Sequence, residues 1–415
     1  MDVHHDCFDV IVIGGGAAGM MAAGQAARRR KRVLIIEKNR TFGEKLKLTG
    51  NGRCNITNAE LDPGAFLEHY GTGKEFLFSP FSQFGVKDSF AFFESIGLPL
   101  VVQAGNRVFP SSEKATDVVL ALRACLEKAG VNCRTGCTVK SVVHEDRLVT
   151  GIETNQGALC AKSFILATGG LSHPETGSTG DGFHWLKELG HSITSPAPSV
   201  VPLEVRDEWV KMLRGVSLPL MKITFFLDGK KQFSKTGTVL FTHFGLSGPL
   251  ILNLASKVKD LLQSGQVAAQ IDAFPDTDLG ALDRNVVSIF HSNKNKSVKT
   301  VFKDIVPPGT SPGIQTLLTD IAFDSKVHSI SKEDRKKIVS LLKALPITIT
   351  GLMGYDRAVV SDGGVSLSEI DTRTMRSKLF SNLYIVGDLL NVSRSSGGFS
   401  LQLCWTTGYV AGNHA

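Results

Sequence analysis

Near the start of the chain, Gly14-Gly-Gly16-Ala17-Ala18-Gly19 has the GxGxxG spacing that can cradle a pair of phosphates. Gly14 permits a tight turn out of a strand, Gly16 lets the backbone approach a pyrophosphate at the positive end of a helix, and Gly19 lets that helix pack closely on a sheet. Gly-rich turns are common, so the spacing alone says little. Its context says more: it follows an apolar run, Phe8 to Ile13, and opens an Ala-rich stretch. Glu37 then ends a second apolar run, placed to accept hydrogen bonds from adenosine ribose hydroxyls. The expectation is a bound dinucleotide.

Two further segments turn that expectation towards FAD. Ile165-Leu-Ala-Thr168-Gly169-Gly170 reads as a strand ending in a Gly turn, and Leu383-Tyr-Ile-Val-Gly387-Asp388 as another ending in Gly-Asp. Asp388 can hold ribityl hydroxyls, while the glycines bring backbone N–H groups towards phosphate and flavin. Only one GxGxxG follows a convincing strand, so NAD(P)H is expected, if at all, as a transient electron donor. His243, in a Thr-His-Phe-Gly loop, is the candidate proton donor or substrate contact. The competing reading is a hydrogen-bonded structural histidine.

The elements that must position these residues follow from periodicity. Phe8 to Ile13, Ala17 to Arg30 and Arg32 to Glu37 form a strand–helix–strand unit of the size of a βαβ crossover. Helices are expected over 117–129 and 181–189, and strands over 139–143, 151–154 and 163–167. The Pro-rich stretch 195–202 marks a crossing into an inserted domain, β-rich over 195–276 and helical over 277–346. Asp228-Gly229 reads as a hairpin turn, and Ser331 with Asp334 resembles a capping box. The flavin domain would then comprise 1–194 and 347–415, with a last helix over 400–410.

Composition fits a globular protein, with 42% apolar and 20% charged residues. The net charge of +7 is modest, and the one dense basic run, Arg28 to Arg32, reads as the solvated end of a helix. Seven cysteines, with no CxxC and no zinc-like pairing, point to a reduced, intracellular compartment. Cys133 and Cys137 could form a redox pair, but they lie in what reads as a buried strand entry. No signal core and no membrane-length apolar run is present, so a cytoplasmic protein is expected. A small-molecule substrate is expected, with no metal, membrane or nucleic-acid partner; the oligomeric state is not legible.

Gly43-Glu-Lys45-Leu-Lys-Leu-Thr-Gly-Asn-Gly-Arg53-Cys54-Asn55-Ile-Thr-Asn58 resembles the GxKxxxSGxGRCNxTN signature of the HI-type, BaiN-like NAD(P)/FAD-dependent oxidoreductases, a family that includes aminoacetone oxidase-like flavoproteins. Residues 177–182, 241–249 and 397–402 match further family segments in order, so the likeness spans essentially the whole chain. It implies an α/β fold: a glutathione-reductase-type, Rossmann-like FAD domain with an inserted β-barrel-like and helical domain. It also implies FAD contacts at Gly14, Gly16, Ala18, Gly19, Glu37 and Lys38, with Arg53, Cys54 and Asn55 in a loop near pyrophosphate and flavin. Ala17, Lys45, Val139, Thr168, Gly169, Gly387, Asp388, Gly398 and Leu401 complete the expected cofactor set. The implied activity is hydride transfer through flavin, either as a reductase of an unsaturated small molecule or as an oxygen-using amine oxidase; a non-catalytic or RNA-associated flavoprotein is the remaining alternative, suggested only by the basic balance. The chain departs from the family pattern at Asn391, Ser393 and Arg394, and Arg394 is expected to make the flavin surroundings more positive.

Overall fold

In this computed structural model, which describes residues 8–415, Val10, Ile11 and Val12 are fully buried. Strand β1 (Phe8–Ile13) is covered on both faces because it lies at the centre of a parallel sheet, which is why it reads as one apolar run. The sheet is completed by β2 (Val33–Ile36), β3 (Asn132–Arg134), β4 (Ala161–Leu166) and β5 (Leu383–Ile385), in the order β5-β4-β1-β2-β3. Every pair in it is parallel. The C-terminal strand β5 thus enters a sheet begun by the first strand of the chain.

Helix α1 (Ala17–Arg28) follows β1, and its basic end is exposed, as expected of a solvated terminus. Four further helices matter below: α2 (Glu44–Gly52), α3 (Ala115–Lys128), α4 (Asp181–Glu188) and α5 (Phe399–His414). The last is four residues longer at its C-terminal end than the periodicity suggests. It is buried on nearly all sides, so no polar stripe marks its limits. Two of its glycines let it lie directly on α1. A Cβ on Gly408 would come within 2.4 Å of the Ala18 carbonyl oxygen, and one on Gly412 within 2.4 Å of the Ala22 oxygen.

Residues 8–198 and 358–415 form one unit, and residues 199–357 a second. The expected boundaries after 194 and 346 fall inside strands, Ile193–Ser199 and Leu345–Leu352. Pro346 therefore does not end a helix but sits within a strand; the preceding helix already stops at Lys343. The second unit is a closed six-stranded barrel whose strands run in the order 203–205, 245–247, 230–241, 217–227, 267–272, 345–352. Asp228 and Gly229 turn its main hairpin with φ of 48° and 77°. Ser331 caps the helix Lys332–Lys343 by accepting the Asp334 N–H at 3.0 Å. Helices and barrel share one core, in which Phe225, Phe241, Ile271, Val301, Phe302 and Ile338 meet.

Two cysteine expectations change. Cys133 is exposed on the edge strand β3 rather than buried, and both it and Cys137 are free thiols. Cys160 is disulfide-bonded, which departs from a fully reduced set. Cys7 lies outside the described residues. Among the described residues no helix is long and apolar enough to cross a membrane.

Candidate functional site

The site begins where β1 ends. Gly14 turns the chain with φ of 110°, and its N–H donates to the Ile36 carbonyl at 2.9 Å, tying the turn to β2. A Cβ here would stand 2.4 Å from the Ala167 oxygen, and one on Gly19 would stand 1.9 Å from the Gly14 oxygen. These two glycines therefore let α1 sit down on the turn. Gly16 differs: a Cβ on it would meet nothing within 4 Å. It opens α1 with no side-chain cap, so the first N–H groups of the helix face open space. Gly15, an arbitrary position in the motif, is also constrained, because a Cβ would fall 1.9 Å from the Phe42 ring.

The Gly15 N–H donates to Glu37 Oε2 and the Asn39 N–H to Glu37 Oε1, both at 2.8 Å. The carboxylate at the end of β2 is thus fixed in direction, and each oxygen keeps a lone pair for a hydroxyl donor. Its neighbour Lys38 is paired with Asp181 at 2.8 Å and Thr179 at 2.5 Å, at the start of α4.

These groups line a single cavity. Gly14, Gly16, Ala17, Ala18, Glu37 and Lys38 form the wall at the first strand ends. Val139, Thr168 and Gly169 form the wall beside β4, and Lys45, Gly387, Asp388 and Leu401 the wall between α2 and α5. All of these are residues expected to contact the cofactor. Sequence reasoning missed Thr49, Thr179, Asp181, Trp185, Val360 and Cys404, which also line it. Thr179 and Asp181 lie within the matched 177–182 segment, a signal that could have found them.

At the α2–α5 wall one carboxylate lies between two cations. Lys45 Nζ donates to Asp388 Oδ2 at 3.1 Å, and Arg394 Nη2 donates to Asp388 Oδ1. Arg394 also donates to the Val392 carbonyl at 2.8 Å and to Ser400 Oγ at 3.1 Å. Burial would raise the Asp388 pKa, but the charges of Arg394 and Lys45 overcome it and hold the carboxyl at about 2. Cys404, on the same wall, has its thiol pushed up to about 12 by burial and by the Asp388 charge, so it stays neutral.

Five expected contacts lie outside the cavity wall. Gly19 works by packing, and Gly398 likewise: its Cβ would stand 2.3 Å from the Thr57 oxygen. Arg53 stacks on the Phe109 ring at 4.4 Å and donates to Gln103 at 3.2 Å. Cys54 is fully buried, and burial drives its thiol up to about 12. Asn55 keeps a buried Oδ1 with no hydrogen-bond partner. His243 belongs to the second unit, exposed in the turn before strand Gly245–Ser247, with its ring edge-on to Phe244.

Three features fit this cavity to FAD. Gly16 leaves space and unpaired helical N–H groups where a pyrophosphate would need them. Glu37 is held with free lone pairs where ribose hydroxyls would lie. Thr168 Oγ1, on the wall, is buried without a partner, a cost that a polar ligand atom would relieve.

Comparison with known proteins agrees. The model of the HI0933-like protein Rossmann domain family matches residues 8–414. The 3-dehydro-bile acid delta(4,6)-reductase of Clostridium scindens is 28% identical over 92% of each chain. The ribosomal RNA dihydrouridine synthase of Haemophilus influenzae is 29% identical over 91% of each. Among solved structures, a 3-ketosteroid-delta4-(5alpha)-dehydrogenase from Rhodococcus jostii superimposes with a TM-score of 0.56 at 15% identity, covering 100% of this chain and 98% of that one. A family match over almost every described residue and a cavity built for a dinucleotide lead to one statement: the chain belongs to the HI0933-like family and is an FAD-dependent oxidoreductase.

Proposed function

We propose that this protein reduces a carbon–carbon double bond conjugated to a carbonyl, with NAD(P)H as electron donor. The observation that carries the reading is chemical. The two relatives act, by name, on unrelated molecules, a bile acid and a uridine in ribosomal RNA. Yet both names describe saturation of an alkene next to a carbonyl. The overall change adds a hydride to the β-carbon and a proton to the α-carbon, and oxidises one NAD(P)H to NAD(P)⁺.

When bound, FAD supplies two-electron hydride chemistry at its N5. The chain supplies the rest. The Gly14–Gly16 turn and the start of α1 receive the pyrophosphate, and Glu37 accepts the ribose hydroxyls. Lys45, Asp388 and Arg394 together carry a surplus of one positive charge, which supports negative charge taken up inside the cavity. Thr168 and Gly169 line the wall beside β4.

The test loads the purified protein with FAD, reduces it anaerobically with NADPH or NADH, and mixes it with a 4-ene-3-ketosteroid or a uridine-containing RNA. Return of oxidised-flavin absorbance with one of these, and not with its saturated analogue, is expected. Turnover of amines with hydrogen peroxide release, and no reoxidation by either alkene, would overturn the reading in favour of an amine oxidase.

A further inference from the structure

A redox reaction at this site adds charge to the cavity. A hydride carries two electrons and one proton, so FAD that accepts one gains a negative charge unless a second proton follows. The wall between α2 and α5 answers that charge with groups that do not all touch the cavity. Lys45 and Asp388 line it, whereas the buried Arg394 does not and meets only the far oxygen of Asp388. Lys45 Nζ donates to Asp388 Oδ2 at 3.1 Å and to Ser172 Oγ at 3.3 Å. Among the described residues these are its two acceptors, and an ammonium has three hydrogens, so one is left for the cavity. A Cβ on Gly169 would stand 3.5 Å from Nζ, which sets the ammonium beside the bare backbone of the β4 wall.

Asp388, held at about 2, is ionised at every working pH and by itself would cancel Lys45. Arg394 prevents this by taking Asp388 Oδ1, so the three side chains keep a surplus of one positive charge. The other ionisable groups on the wall leave that surplus in place. Lys38 is paired with Asp181 and Glu44 with Lys47, and burial keeps the Cys404 thiol neutral. Glu37 accepts two backbone N–H groups at the end of β2, where the adenosine ribose would be received.

The order of parts in FAD decides what the α2–α5 wall meets. Glu37 and the Gly14–Gly16 turn suit the adenosine and the pyrophosphate, which leaves this wall to the ribityl and flavin end. We propose that Arg394 is a positioning residue for the redox step: by neutralising Asp388 from behind the wall, it leaves Lys45 as the cation that holds reduced FAD as an anion. FAD then takes up two electrons and one proton, the content of one hydride, and the donor is oxidised by the same two electrons. The inference rests on FAD chemistry alone and not on the alkene reading above. Arg394 is also a position at which the chain departs from its family pattern, so the surplus belongs to this chain.

The test is the midpoint potential of the FAD-loaded protein, titrated anaerobically with dithionite against a reference dye at several pH values around neutrality. Wild type is expected to change by about 30 mV per pH unit, the two-electron equivalent of one proton, where two protons would give about 59 mV. Lys45→Gln and Arg394→Gln each bring the surplus to zero. In a partly buried site one unit charge changes the affinity for a nearby anion about tenfold or more. Each variant should therefore lose about tenfold in its preference for reduced over oxidised FAD, a fall of about 30 mV, with a steeper pH slope. Arg394→Lys should match wild type. D388N/R394Q restores the surplus of one and should return to the wild-type potential, although two buried side chains have changed. Lys45 is 25% exposed, so Lys45→Gln serves as the low-potential reference even where Arg394→Gln alone fails to fold. A two-proton slope in wild type, or a potential for D388N/R394Q as low as that of Lys45→Gln, would overturn the proposal. Equal weakening of oxidised and reduced FAD by Lys45→Gln, with the potential unmoved, would also overturn it and assign Lys45 to the phosphates. No substrate is present in these titrations, so their failure leaves the alkene reading untouched.

Discussion

Arg394 is a full charge almost sealed from water, 5% exposed, yet it does not line the cavity its position in the sequence suggests it should make positive. Its guanidinium is taken by Asp388, the Val392 carbonyl and Ser400. Because Arg394 neutralises Asp388, the surplus charge that reaches the cavity is that of Lys45. The Asp388 carboxyl, held at about 2 against an ordinary 3.8, links this cluster to acid stability. A carboxyl depressed in the folded state adds stability that is complete above pH 3.8 and is lost as the pH falls towards 2; the difference corresponds to about 2 kcal/mol. Removing one partner of a buried pair costs about 3–5 kcal/mol when the other stays charged. Arg394→Gln should therefore be destabilised strongly at pH 7, and the deficit should shrink below pH 3.8 as Asp388 protonates. Urea unfolding of both proteins at neutral pH and near pH 3 checks this. A deficit independent of pH would mean that Arg394 acts by packing alone.

At the scale of elements, the first strand, helix and second strand were legible because period and length agree with the parallel-sheet pattern, and the βαβ unit appears almost residue for residue. The hairpin at Asp228-Gly229 was equally legible, since its turn demands positive φ at both residues. Three features were not. The terminal helix α5 is apolar all round, so its limits have no periodic signature. The Pro-rich stretch reads as a crossing into an inserted domain, yet Pro196 and Pro198 lie in a strand of a two-stranded ladder, where an absent N–H can be borne at an edge. The cluster of Lys45, Asp388 and Arg394 joins residues 343 apart in the chain, which no local spacing reveals. The seat of α1 on the turn gives a test of how fold and binding separate. Gly19→Ala forces a Cβ to 1.9 Å from a backbone oxygen and should lower the melting temperature and lose FAD together. Gly16→Ala meets nothing within 4 Å, so it should fold with an unchanged apoprotein melt while its FAD affinity falls about tenfold or more by obstructing the approach of phosphate to the helix N–H groups. Equal loss of stability in the two variants would refute this division of roles.

For the whole molecule, the inserted unit is continuous in sequence and the flavin unit is not, so the flavin unit must be completed by the chain's return. β5 pairs with β4 and α5 lies on α1, each joining residues from opposite ends of the chain. The return is prepared by the ladder between strands Ile193–Ser199 and Val360–Val365. The Ser366 N–H donates to the Ser192 carbonyl at 2.9 Å, and Gly363 lies against Pro196. Counting along both strands from these contacts brings residue 198 opposite residue 360, so a few residues suffice to close the gap. The barrel, for its part, is closed and has its own core, leaving it no open sheet edge to protect. The expected outcome is that a chain with residues 199–357 replaced by a short Gly-Ser linker folds and retains FAD, with the absorbance of bound flavin. Residues 199–357 expressed alone should unfold cooperatively, as a unit with its own core does. Loss of FAD from the shortened chain despite a cooperative melt would show that the inserted unit contributes to the cofactor site, and loss of the melt itself would show that the two units do not fold independently.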